Sequence, residues 1–134
     1  MKEFFTYIQR TQKHIIAEFG DALTFCRELL TEDGPDFLPD DIANQLADAE
    51  PDERDYAIAS AYSLLVGETR RRELSAYFTP PVLSRAVLDA SAPVLEHCDA
   101  PAVLDPACGS FLTPVARYLI AKNVARGSTH EAAC

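Results

Sequence analysis

Two short stretches of the sequence hold residue types that could grip a charged small molecule. In Leu104-Asp105-Pro106-Ala107-Cys108-Gly109-Ser110 an acid is followed by small residues and a glycine. Gly109 lets the backbone approach a ligand closely and can take a positive φ. A helix starting just beyond it would offer unpaired N–H groups and a partial positive charge to a carboxylate. Asp105, at the carboxyl end of a short strand, can face an ammonium group, and an amino-acid zwitterion suits that pairing. Taken alone, such an Asp-x-x-x-Gly turn is more often a plain strand–helix connection. The second stretch, Ser75-Ala76-Tyr77-Phe78-Thr79-Pro80-Pro81, joins two aromatic rings to a helix-start signal. Tyr77 and Phe78 suit ligand contact or, equally simply, the role of aromatic core anchors. Cys108 suits a small side chain filling its turn.

No other residues are spaced for chemistry. Cys26, Cys98, Cys108 and Cys134 are scattered and form no CxxC pair, so they read as free thiols rather than as a disulfide framework or a zinc site. His14, His97 and His130 are isolated, and no metal site and no catalytic residue is expected.

The elements that must position these stretches follow from periodicity. Phe4, Ile8, Ile15 and Phe19 fall on one helical face that Gly20 ends. Ala22, Cys26, Leu29 and Leu30 form a second stripe, stopped by Thr31-Glu32-Asp33-Gly34-Pro35. A third helix is expected over residues 39–49 with Ile42 and Leu46 inward. A fourth should start after Pro51, with Asp52 as cap and Asp55 in the first turn. Its stripe is Ile58, Ala61, Tyr62 and Leu65, closed by Gly67. Thr79 then Pro80 predicts a helix start, with the hydroxyl as cap and the proline at the first position. That helix should run through Val82, Leu83, Ala86, Val87 and Ala90 into a loop holding Pro93 and Pro101. Ala102-Val103-Leu104 reads as a short buried strand, and a last helix should run from residue 111 to about 125, with Leu112, Val115, Ala116, Leu119 and Ile120 as its stripe. The expected architecture is mainly α. A helical N-terminal region, residues 1–69, leads into the first strand–turn–helix of a Rossmann-like α/β unit in residues 70–134.

Composition bounds the rest. The 134 residues, 48% of them hydrophobic, suit about one domain. The longest weakly polar stretch, residues 56–67, falls far short of the roughly 20 residues a membrane span needs. The opening Met1-Lys2-Glu3-Phe4-Phe5 does not read as a secretory signal, so a cytoplasmic protein without membrane partners is expected. The net charge of −9 sits entirely in residues 1–66, which hold 14 acids against 5 bases; residues 67–134 hold 7 of each. A phosphate-neutralising surface needs clustered Lys and Arg, which the acidic half does not supply.

The two stretches together resemble a known family. Ser75-Ala76-Tyr77-Phe78-Thr79-Pro80-Pro81 resembles the GAYYTPP motif of adenine-N6-specific DNA methyltransferases of the restriction-modification type. Leu104-Asp105-Pro106-Ala107-Cys108-Gly109-Ser110 resembles their LDPACGSG motif. The order and separation fit, Arg70-Arg71-Arg72 looks like the same family, and the resemblance covers about a fifth of the chain. It implies S-adenosylmethionine as cofactor. Tyr77, Thr79 and Pro80 would line its methionine side, and Asp105, Ala107 and Gly109 would receive its amino and carboxylate ends. DNA would be the partner of the complete enzyme, with a complementary methyltransferase fragment acting in trans as a further partner.

Two departures qualify what the resemblance implies. Ser110 runs directly into Phe111-Leu112, so the glycine motif is two residues short, including its second glycine. Absorbed in the helix, that deletion would rotate the following face by about 200°. Because the 112–120 stripe is intact, the loop takes the strain, and weakened cofactor binding is expected. The Asn/Asp-Pro-Pro-Tyr/Phe loop that positions a flipped adenine is absent. The chain is therefore expected to be a truncated front portion, inactive alone, whose lone strand lacks a partner. Two other readings stand beside it: a small acidic helical interaction protein or DNA mimic, and a cofactor-binding module without catalysis.

Overall fold

The computed structural model describes residues 1–31, 36–97, 101–105 and 111–127. Among them the chain is mainly helical, with seven helices and no strand, and it divides into two compact units, Met1–Phe78 and Thr79–Cys134.

The first unit is a helical bundle whose core comes from the stripes seen in the sequence. α1 (Lys2–Phe19) buries Phe4, Ile8 and Ile15, and Gly20 ends it at φ 81°, a left-handed conformation that glycine adopts without penalty. α2 (Ala22–Glu28) starts from Asp21, whose carboxylate accepts the Leu23 N–H at 2.7 Å and the Thr24 N–H at 2.9 Å. This is an N-cap by geometry. Hydrogen bonds from the Thr24 amide and hydroxyl hold the Asp21 carboxyl below its ordinary value of 3.8. α2 is shorter than its stripe: Leu29 is buried beyond the helix end, but Leu30 turns outward. Phe19, Phe25 and Phe37 meet with ring centroids 4.7–5.3 Å apart, a largely edge-on cluster.

α3 (Asp40–Ala47) turns Ile42 and Leu46 inward as expected. α4 (Pro51–Leu65) buries Ile58, Ala61 and Leu65 and packs on α1 and α2. Its start differs by a step from the sequence reading. Pro51 itself takes the first turn with Glu50 before it, so Asp52 lies inside that turn and does not cap. Proline loses nothing there because the first amides have no helical partner. At the other end, Gln12 Nε2 donates to the carbonyls of Leu64 and Leu65 at 3.2 and 3.1 Å, satisfying acceptors the helix leaves open. Cys26 is buried against α4, its thiol donating to the Ile58 carbonyl at 3.6 Å, and burial pushes its pKa up to about 12. Gly67, at φ 78°, closes α4 and opens α5 (Gly67–Glu73), a helix the stripes did not announce.

The second unit consists of α6 (Pro81–His97) and α7 (Leu112–Ala125), which pack on one another. α6 begins one residue later than its signal implied: Pro81, not Pro80, is the first helical residue, and the Pro80 carbonyl accepts the Ser84 N–H at 3.1 Å. It also runs through Pro93, where a loop was expected. Bases from α7 serve its open end: Lys122 Nζ donates to the Leu95 carbonyl and Arg126 to that of Glu96 at 3.1 Å. Positive groups at a helix C-terminus also complement its dipole.

Ala102-Val103-Leu104 does not form the expected strand. Residues 101–105 carry no regular structure and Leu104 is 86% exposed. A strand is stable only when its backbone groups find a neighbouring strand, and no second strand is present among the described residues.

Candidate functional site

The expected site residues divide between the units. Tyr77 belongs to the first. Thr79, Pro80 and Asp105 belong to the second, where Pro80 precedes α6 and Asp105 is half-buried on the segment before α7. Ala107 and Gly109 lie outside the described residues, with the rest of the turn at 106–110. The groups present suit an amino-acid zwitterion in kind: a carboxylate at Asp105 for an ammonium, and the start of α7 for a carboxylate.

The aromatic stretch is described in detail, and its geometry begins with α5. Leu74 caps that helix and Ser75 follows at φ 51°, a left-handed conformation. The Ser75 N–H donates to the Arg72 carbonyl at 3.1 Å and the Ala76 N–H to that of Arg71 at 3.0 Å. This is the Schellman pattern of helix termination, which favours glycine at the left-handed position. The turn sends the chain back along α4, where Ser63 Oγ donates to the Ala76 carbonyl at 2.8 Å.

α5 sorts the three consecutive arginines. Arg70 pairs with Glu73 at 3.0 Å and Arg72 with Glu68, both on the exposed side. Arg71 is half-buried instead. Its guanidinium carbon lies over the Tyr77 ring, 5.2 Å from the centroid, and its Nε is buried without a hydrogen-bond partner. A cation over an aromatic face is a favourable contact, but it satisfies none of the N–H donors.

Arg71 and Tyr77 edge an open cavity of about 320 Å³ lined wholly by residues of the first unit. Phe5, Tyr56, Tyr77 and Phe78 supply aromatic walls, and Gln9 and Ser60 a polar edge; Arg71 is the one charged residue lining it among the described residues. A second cavity of about 580 Å³ is lined by charges of both signs, Lys2 and Arg10 with Glu3 and Asp41, which offset one another. The first cavity therefore carries the more defined chemistry.

Sequence reasoning picked out Tyr77 and Phe78 but treated the three arginines as one run, and Gln9, Tyr56 and Ser60 went unremarked. No signal in the sequence separates Arg71: Gly67 and Arg71, four residues apart, are the two less exposed positions of α5, but no apolar residue of that helix marks the face. Among the described residues no group of His, Cys, Asp and Glu could hold a metal ion, and no helix is long and apolar enough to cross a membrane. No protein-family model, curated protein or solved structure matches the chain.

Proposed function

We propose that this chain is the N-terminal portion of an S-adenosylmethionine-dependent, adenine-N6-specific DNA methyltransferase. On this reading, residues from 70 onward open its Rossmann-like domain. The observation that carries the proposal is the pair of motifs, residues 75–81 and 104–110, in the family's order and separation. The left-handed turn at Ser75 supports the match. Its φ is one that glycine adopts without penalty, which suits the glycine that the motif carries at its first position.

Tyr77, Thr79 and Pro80 would lie along the methionine side of the cofactor, and Asp105, Ala107 and Gly109 at its amino and carboxylate ends. When bound, S-adenosylmethionine supplies the methyl group. The chain's own residues would hold and orient its zwitterionic end. These 134 residues contain no Asn/Asp-Pro-Pro-Tyr/Phe loop to receive a flipped base, so they are not expected to methylate DNA alone. DNA is then a partner of the complete enzyme, reached through a complementary methyltransferase fragment.

The shortened glycine motif makes the reading testable. Inserting Gly-Ala after Ser110 restores the family's loop length and should raise S-adenosylmethionine affinity at least about tenfold over the parent chain in calorimetric titration, the scale of one restored charge-assisted contact. Equal affinity, or no binding by either form, would remove the cofactor role. Methyl transfer from labelled cofactor to DNA by the unaltered chain would refute the proposed inactivity.

A second reading, an acidic helical interaction protein, is favoured by one observation: the first unit closes its own hydrophobic core while carrying the acidic excess. Capture of a DNA-binding protein by this chain, competed by duplex DNA, is the result that would separate it from the first.

A further inference from the structure

The cavity beside the Ser75 turn shares Tyr77 with the cofactor site proposed above, but Phe5, Gln9, Tyr56, Ser60 and Arg71 have no part in that site. We propose that this cavity in the helical unit binds a small aromatic anion, with Arg71 holding the negative group and Phe5, Tyr56 and Phe78 flanking the ring. The inference does not rest on the proposed function.

Three observations converge on it. The first is an unanswered positive charge. Glu68 and Glu73, the acids nearest Arg71 in sequence, are taken by Arg72 and Arg70, and no acid lines the cavity among the described residues. One edge of the Arg71 guanidinium, at Nε, is shut off from water with no acceptor in its place. Burying part of a charged group without compensation is unfavourable, and an anion against the part of Arg71 that lines the cavity offsets its charge.

The second is orientation. The Tyr77 ring lies against the guanidinium at 5.2 Å, which confines a side chain that would otherwise sample many rotamers. The Ser63–Ala76 hydrogen bond pins the turn that carries that ring. An arginine beside an aromatic ring keeps its fork of N–H donors for a planar or tetrahedral oxyanion, a recognition that lysine does not reproduce.

The third is the shape and lining of the space. About 320 Å³ lies at the small end of the range for ligand pockets, enough for one ring bearing an acidic group. Aromatic walls favour a flat apolar body through stacked or edge-on contacts. Gln9 and Ser60 leave the polar margin able to bond a substituent on that ring. Carboxylate and phosphate share the required chemistry.

The test is titration of the full chain with benzoate and with phenyl phosphate, followed by calorimetry and by amide chemical shifts. Benzyl alcohol serves as the uncharged aromatic control and inorganic phosphate as the non-aromatic anion. Saturable binding of benzoate or phenyl phosphate is expected, at least about tenfold tighter than either control, since a charge-assisted pair contributes on that scale. The tighter of the two identifies the acidic group. The shifted amides should include Gln9, Ser60, Arg71 and Tyr77. Arg71→Gln should weaken binding at least about tenfold while retaining the parent's helical circular dichroism, and Arg71→Lys should fall between. No saturable binding of either aromatic anion at several millimolar would overturn the proposal. So would shifts confined to α6 and α7, or undiminished binding by a folded Arg71→Gln protein.

Discussion

Asp21 and Cys26 are neighbours on α2, and their ionisation is shifted in opposite directions for opposite reasons. Asp21 is exposed and accepts hydrogen bonds that only its charged form rewards fully, so its folded pKa is lowered. A carboxylate of this kind contributes stability above its unfolded pKa and loses it as pH falls through the folded value. Asp21→Ala should therefore lower the melting temperature at pH 7, and the gap to the parent should shrink by pH 3. A gap unchanged across that range, measured by thermal circular dichroism, would rule out the carboxylate's cap. The Cys26 thiol is buried, and burial disfavours the thiolate, so its pKa rises to about 12. Its contribution is present below 9.0 and declines between there and about 12, where the unfolded chain has already released the proton. A thiol with that pKa is a core group rather than a nucleophile.

At the scale of elements, the left-handed residues decide where helices stop. Gly20 and Gly67 end α1 and α4 without strain because they lack a Cβ. Ser75 ends α5 in the same conformation with a Cβ, which costs about 1–2 kcal/mol for an ordinary residue. Ser75→Gly removes that strain and adds unfolded-state entropy, so a net gain of up to about 1 kcal/mol is expected from urea denaturation. A loss would show that the Schellman turn is not strained as its φ implies. Helix phase was legible for α1, α3 and α4 because each buries one stripe in the core of the first unit. α6 was legible as a helix through Val82, Leu83 and Val87 but not in its buried face: all three are exposed while Ser84 and Leu95 are buried. With α7 as the one neighbouring helix among the described residues of its unit, α6 buries a much narrower face than its composition offers.

At the scale of the molecule, the buried core cluster comes entirely from residues 4–65, all within the first unit. Phe4, Phe25 and several aliphatic stripes form it, with no residue of the second unit among the described ones. Residues 1–78 expressed alone should consequently retain their helicity and unfold in a single cooperative step, checked by coincident circular dichroism and tyrosine fluorescence transitions. Non-coincident transitions, or a chain without helical signal, would contradict a self-sufficient first unit. The second unit shows the contrary balance, with Val82, Val94 and Leu104 each at least 70% exposed. Single exposed apolar residues are ordinary, but this many in a unit of two helices leaves little apolar surface to drive its folding.

The sequence by itself did not announce α5, but it determined α1 to α4, the glycines that end two of them, and the inward positions of Phe4, Ile8, Ile42, Leu46 and Ile58. Those follow from local periodicity and backbone freedom, which need no distant partner to be read. It also presented the two motifs that carry the functional proposal. Only the tertiary structure decided that Arg71, out of three identical neighbours, leaves the exposed face and lies over Tyr77. That choice depends on where α4 and the Ser75 turn lie in space, which residue type does not encode. It likewise decided against a strand at residues 102–104. An apolar triplet looks the same in sequence whether or not a partner strand exists, and the hydrogen bonds that define a strand are made only between neighbours in space.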